Sequence, residues 1–144
     1  MNNIWGNIDF EGLIEDAKTA AEGSGEFKEV PHGKYEVKVD KMETKLSKKG
    51  SPMLAIRFKI LEGEYKGSLI FYNQVLTTGY GFHQANEFLR SMETGVNIEA
   101  KTGAQFDTMV MDVNEATDNL EFILDYGKND KGYNTYKIEE VFEV

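Results

Sequence analysis

The chain has 144 residues, 40% hydrophobic and 12% aromatic, with a net charge of −9, two prolines and no cysteine. That length fits one domain able to bury about two thirds of the surface its unfolded form exposes. The missing cysteines exclude disulfides, thiolate catalysis and zinc–cysteine sites. No apolar run approaches the roughly 18 residues a membrane helix needs, and MNNIWGNIDFEG lacks the basic and apolar regions of a signal peptide. No membrane association is expected, and a cytoplasmic location is.

Asp9–Ala21 has the pattern of an amphipathic helix, with Phe10, Leu13, Ile14, Ala17 and Ala21 on one face. Asp9 is its expected N-cap and Gly23 its stop. Residues 1–25 are therefore expected to form a helical arm and linker, and residues 26–144 the main domain. Gly33–Leu46 is expected as a long first strand. Tyr35, Val37 and Val39 share one phase; Met42, Thr44 and Leu46 share the other. The slip near Asp40–Lys41 predicts a bulge, which bends a strand and raises its twist. A long bent strand can pair on both sides, as a small closed barrel requires. Residues 47–52, polar with Gly50 and Pro52, are expected as a loop.

The central hairpin follows. In residues 53–61, Leu54, Ile56, Phe58 and Ile60 alternate with Met53, Ala55, Arg57 and Lys59. After the turn Glu62–Gly67, residues 68–76 repeat the alternation. Leu69, Phe71 and Val75 are expected towards the core, with Ser68, Ile70, Tyr72 and Gln74 on the outer face. A second helix carries Phe82, Ala85, Phe88, Leu89 and Met92, with Gly95 as its stop. A third opens at Thr102, with Gln105 completing a capping box. Its stripe is Phe106, Met109, Val110 and Val113. Two strands close the chain, one with Leu120, Phe122, Leu124 and Tyr126 in phase, the other over residues 133–144, joined by the hairpin loop Gly127–Gly132.

Three strands, a helical segment and two strands is the order of the OB-fold, a five-stranded Greek-key barrel. The expected class is mainly β with helices, an OB-fold with an N-terminal helical arm. Such barrels bind oligonucleotides or oligosaccharides across strands 2 and 3, flanked by the loops joining strands 1–2 and 4–5.

Catalysis finds little support. His32 and His83 stand far apart in sequence, and no GxSxG, HExxH, P-loop or GxGxxG pattern occurs. Asp112 and Glu115 fit a solvated helix face, and Asn129-Asp130 fits hairpin chemistry better than a calcium loop. No enzyme activity, metal site or cofactor is expected.

Charge placement favours binding. Residues 28–66 hold ten of the sixteen Lys/Arg and six of the twenty-five Asp/Glu. An acidic chain can bind a polyanion when its cations gather on one surface. Lys45, Lys48 and Lys49 are expected in the loop between strands 1 and 2, and Lys128 and Lys131 in that between strands 4 and 5. Arg57 and Lys59 are placed on the outer face of strand 2, with Tyr72 and Gln74 beside them on strand 3. Tyr72 is the first stacking platform, and Tyr133 and Tyr136 are alternatives of which one belongs to the core. The acidic, apolar ending IEEVFEV fits a terminal strand rather than a mobile tail.

The segments VPHGKYEVKV, GSPMLAIRFKILEGEYKGSLIFYNQVLTTGYGFHQANEFLRSMETG and LEFILDYGKNDKGYNTYKIEEVFE, with IDFEGLIEDA before them, resemble the phage-encoded proteins grouped as domain of unknown function 669. The resemblance covers nearly the whole chain; the ILEGEYKG turn and the helix after it are its most specific parts. It implies an OB-fold and single-stranded-DNA binding in phage or prophage replication or recombination, in the cytoplasm of a bacterial host. It also implies phage recombinase or replication proteins as partners. A homo-oligomer stays open. The alternative is a protein-interaction module that recruits such a partner through the acidic remainder of its surface.

Overall fold

The computed structural model describes residues 30–144. The expected helix over Asp9–Ala21 lies outside the described residues. Five strands follow: β1 (Gly33–Leu46), β2 (Pro52–Ile60), β3 (Leu69–Val75), β4 (Leu120–Lys128) and β5 (Asn134–Glu143). Two helices, α1 (Gly79–Ser91) and α2 (Gly103–Ala116), lie between β3 and β4. All strand pairings are antiparallel, and the spatial order is β3-β2-β1-β4-β5.

The expected bulge is present. The β1–β2 register shifts between Val39 and Lys41, leaving Asp40 as the extra residue. The bend divides β1 between two neighbours. Gly33–Val37 pair with Tyr126–Phe122 of β4, and Val37–Leu46 pair with Ile60–Pro52 of β2. Both helices start at threonine caps, where the side chain satisfies an otherwise unpaired N–H. The Thr78 hydroxyl accepts from the Gly81 N–H at 2.9 Å, and that of Thr102 from the Gln105 N–H at 3.1 Å. Gln105 reaches back to the Lys101 N–H at 2.9 Å, one residue before the usual capping-box donor. Helix α1 ends earlier than expected, at Ser91, with Met92 as its C-cap; Glu93 and Gly95 then both take positive φ.

Directly opposed residues share a face of the sheet. Val37, Ile56, Phe58, Ile70, Tyr72, Phe122, Leu124 and Ile138 are buried on the face the helices cover. Ala85, Phe88 and Leu89 of α1 and Phe106, Met109, Val110 and Val113 of α2 close over them. Strands β3 and β5 are the sheet edges, with no ladder between them among the described residues. They still approach one another. The Tyr136 hydroxyl donates to the Phe71 carbonyl at 2.7 Å, and its ring meets Tyr72 edge-on at 5.2 Å.

Phe58 is wholly buried against Phe88. Phe58→Ala is expected to cost about 3–5 kcal/mol in urea unfolding. Tyr136→Phe, which removes one hydrogen bond, is expected to cost about 0.5–1.5 kcal/mol. A Phe58→Ala loss no larger than that of Tyr136→Phe would contradict this core.

Candidate nucleic-acid interface

The face of β1–β3 turned away from the helices is built in rows across the strands. Lys38 stands opposite Lys59, which stands opposite Leu69. The next rows are Lys41–Arg57–Phe71, Glu43–Ala55–Asn73 and Lys45–Met53–Val75. Successive rows are two residues apart, about 6.6 Å along a strand. Five cations thus share this face with Glu43 and the bulge residue Asp40. Arg57 Nε donates to Asp40 Oδ2 at 2.6 Å, and Lys41 Nζ lies 3.3 Å from Glu43. Phe71 is 42% exposed and Val75 38%, with Asn73 between them on β3.

Arg57 and Lys59 lie on the outer face, as expected. Tyr72 and Gln74 do not. Tyr72 is opposite Ile56 and only 6% exposed, with its ring stacked on Phe88 at 4.3 Å. Gln74 is opposite Leu54 on the helix side, and its amide donates to the Val75 carbonyl at 3.1 Å. The expected phase of β3 is therefore inverted. Both of its phases are apolar, Leu69, Phe71 and Val75 against Ile70 and Tyr72, so alternation alone left the choice open. Pairing with Ile56 and Phe58, under the helices, decides it. Phe71 takes the outer position assigned to Tyr72, and the sequence reading missed it together with Lys38, Lys41 and Asp40. Their signal was the β1 bulge: it carries Lys41 and Lys45 onto the same side as Lys38, across an odd spacing.

Lys45 belongs to β1 rather than to the following loop. Lys48 and Lys49 are exposed in the turn closed by Ser47 N–H to Ser51 O at 2.7 Å. Lys128 ends β4, and Lys131 and Tyr133 are exposed in the β4–β5 loop, Tyr133 at 69%. The Asn129 side chain organises that loop by accepting from the Lys131 and Tyr133 N–H groups at 2.9 and 3.0 Å. Tyr136 is the half-buried member of the tyrosine pair. The two lysine-bearing loops do not share a tip. The β1–β2 turn follows Leu46, whereas Gly33, at the other end of β1, pairs with Tyr126 just before the β4–β5 loop. Because β5 starts beside Phe71, that loop stands near the beginning of β3, and the β1–β2 turn near its end. The loops bracket the cationic face from its two ends.

The rest of the outer face is more acidic, with Glu36, Glu121, Asp125 and Glu140 against Lys34 and Lys137. Lys34 Nζ lies 3.0 Å from Glu139. That hydrogen bond is the main cause that raises the Lys34 pKa and lowers that of Glu139. His32 Nε2 is 2.9 Å from Asn134 Oδ1 at the surface, and His83 is exposed on α1. Asp112 and Glu115 are exposed on α2. Among the described residues, no three His, Asp or Glu side chains gather as metal ligands, and no helix is long and apolar enough to cross a membrane. A separate cleft of about 680 Å³ lies beyond the end of β1. Leu46, Pro52, Leu76, Phe82 and Phe106 line it, together with Lys45, Lys101 and Asp107.

Burial holds the Tyr72 phenol far above its ordinary pKa, with Tyr136 adding to the effect. Tyr136 is raised as well, chiefly by burial. A phenol with a raised folded pKa stabilises the fold fully below its unfolded value, and that contribution fades as pH climbs above about 10. The urea midpoint is expected to fall between about pH 9 and pH 11, and to fall less in Tyr72→Phe. Equal declines in the two proteins would show Tyr72 to be solvated.

Residues 16–141 match the family model described as protein of unknown function (DUF669), and the chain belongs to that family. No curated protein matches the chain.

Proposed function

We propose that this DUF669 member is an OB-fold protein, not an enzyme, that binds single-stranded DNA with little sequence preference across the outer face of β2 and β3. The observation that carries this reading is the row Lys41–Arg57–Phe71, with Lys38–Lys59 in the row on one side and, beyond Glu43–Ala55–Asn73, Lys45–Met53 on the other. Single-strand binders pair a cationic groove with rings on which bases stack. Here the ring is Phe71. The strand order, the helices between β3 and β4, and the sharing of β1 by β2 and β4 support the barrel assignment. Lysines 45, 48, 49, 59, 128 and 131 contact phosphates, Tyr133 is a second platform at the β4–β5 loop, and the setting is phage replication or recombination in a bacterial host. An excess of acidic residues elsewhere does not oppose this, because a local cationic surface governs encounter with a polyanion.

Titration of fluorescent oligo-dT over a salt series tests the proposal. The log–log slope is expected to be about −0.7 per neutralised phosphate, and Lys48→Glu/Lys49→Glu should flatten it. Phe71→Ala should weaken binding by about 1–3 kcal/mol. No binding at low salt by the folded protein would contradict the proposal.

The cleft, whose lining joins apolar side chains with Lys45 and Lys101, favours a second reading, a module that binds an acidic, apolar peptide of a replication or recombination protein. A complex recovered from host lysate after nuclease treatment, lost on Leu46→Asp, would support it.

A further inference from the structure

The bulge in β1 gives Asp40 no partner on β2, since Val39 pairs with Phe58 and Lys41 with Arg57. Its carboxylate turns instead to Arg57. The contact is one-sided: Asp40 Oδ2 meets Nε at 2.6 Å. No hydrogen bond or ion pair joins the two terminal nitrogens of the guanidinium to another described residue. An arginine held through Nε keeps its terminal N–H groups for a second acceptor, and a phosphate offers two oxygens that match them. The same arginine stands directly opposite Phe71, whose ring is exposed. A base-sized platform and a fixed N–H donor for a phosphate are thus neighbours on adjacent strands.

We propose that Arg57 and Phe71 form one nucleotide subsite, the ring taking a base and the guanidinium the adjoining phosphodiester, with Asp40 as the positioning residue that holds the guanidinium in place. This rests on the single-strand reading of the same face. Fixing a free arginine at the moment of binding would cost side-chain entropy; the bulge carboxylate has already restricted it. Asp40 also places a negative charge near the phosphate, so its removal has two opposed effects. They separate by comparing two variants of equal charge. Asp40→Asn keeps an oxygen that accepts from Nε; Asp40→Ala does not.

The experiment is oligo-dT titration of the full-length chain and its Asp40→Asn, Asp40→Ala, Arg57→Ala and paired variants, each first checked for an unchanged unfolding midpoint. Asp40→Ala is expected to bind about fivefold to tenfold more weakly than Asp40→Asn, with the same salt slope. The gap should vanish when Arg57 is alanine. Equal affinities of Asp40→Asn and Asp40→Ala, with the wild type binding normally, would overturn the positioning role and leave the single-strand reading standing. A gap that persists without Arg57 would overturn it too. A folded wild type that binds no oligo-dT would overturn both.

Discussion

Two opposed pairs, Ile56 with Tyr72 and Phe58 with Ile70, set the direction in which the central hairpin faces. All four side chains are buried, and Phe88 of α1 packs on two of them. With those positions committed to the core, the strand period of two leaves Arg57, Lys59, Leu69, Phe71 and Asn73 outside. A slip of one residue would send Phe71 under the helices and Tyr72 into solvent. The composition of this outer face is thus a consequence of the core, and the burial that stabilises the fold also chooses the residues turned outward.

The β1 bulge is the second determinant. A strand of strict alternation would carry Lys38 and Lys41 on opposite faces. One extra residue at Asp40 brings Lys38, Lys41 and Lys45 to the same side, while Val37 and Met42 remain buried. The same residue bends β1 so that it serves both β2 and β4. It separates a cationic half of the sheet, over β1–β3, from a more acidic half over β4 and β5. Local structure, charge segregation and the orientation of Arg57 converge on this one irregularity.

Much of the fold was legible in the sequence. The bounds of β1, its bulge, the apolar stripes of both helices and the Thr102 cap follow from local periodicity and capping chemistry, which neighbours far along the chain do not alter. The orientation of β3 was not legible. Leu69 and Phe71 in one phase and Ile70 and Tyr72 in the other are all large and mostly hydrocarbon, and the deciding partners Phe58 and Ile56 lie 12 and 16 residues away. Gln74 went astray with them: an amide suggested solvent, yet it lies beside the start of α1, where a side chain at Gly81 would collide with the Val75 carbonyl. Arg57 and Lys59 were placed correctly because β2 has only one apolar phase. The loop lysines were identified by composition, but their separation to the two ends of the face is a property of the β1–β4 register, which no short segment encodes.

Amide chemical-shift mapping of the full-length chain with oligo-dT tests the central claim most directly, that bound strand lies on the outer rows of β2 and β3. The expected result is that the largest shifts fall on Arg57, Lys59, Phe71 and Asn73, with smaller ones at the two lysine-bearing loops and none along the exposed side of α2. Shifts confined to the cleft around Leu46 and Phe106, or absent from β2 and β3 while the strand is bound, would contradict it.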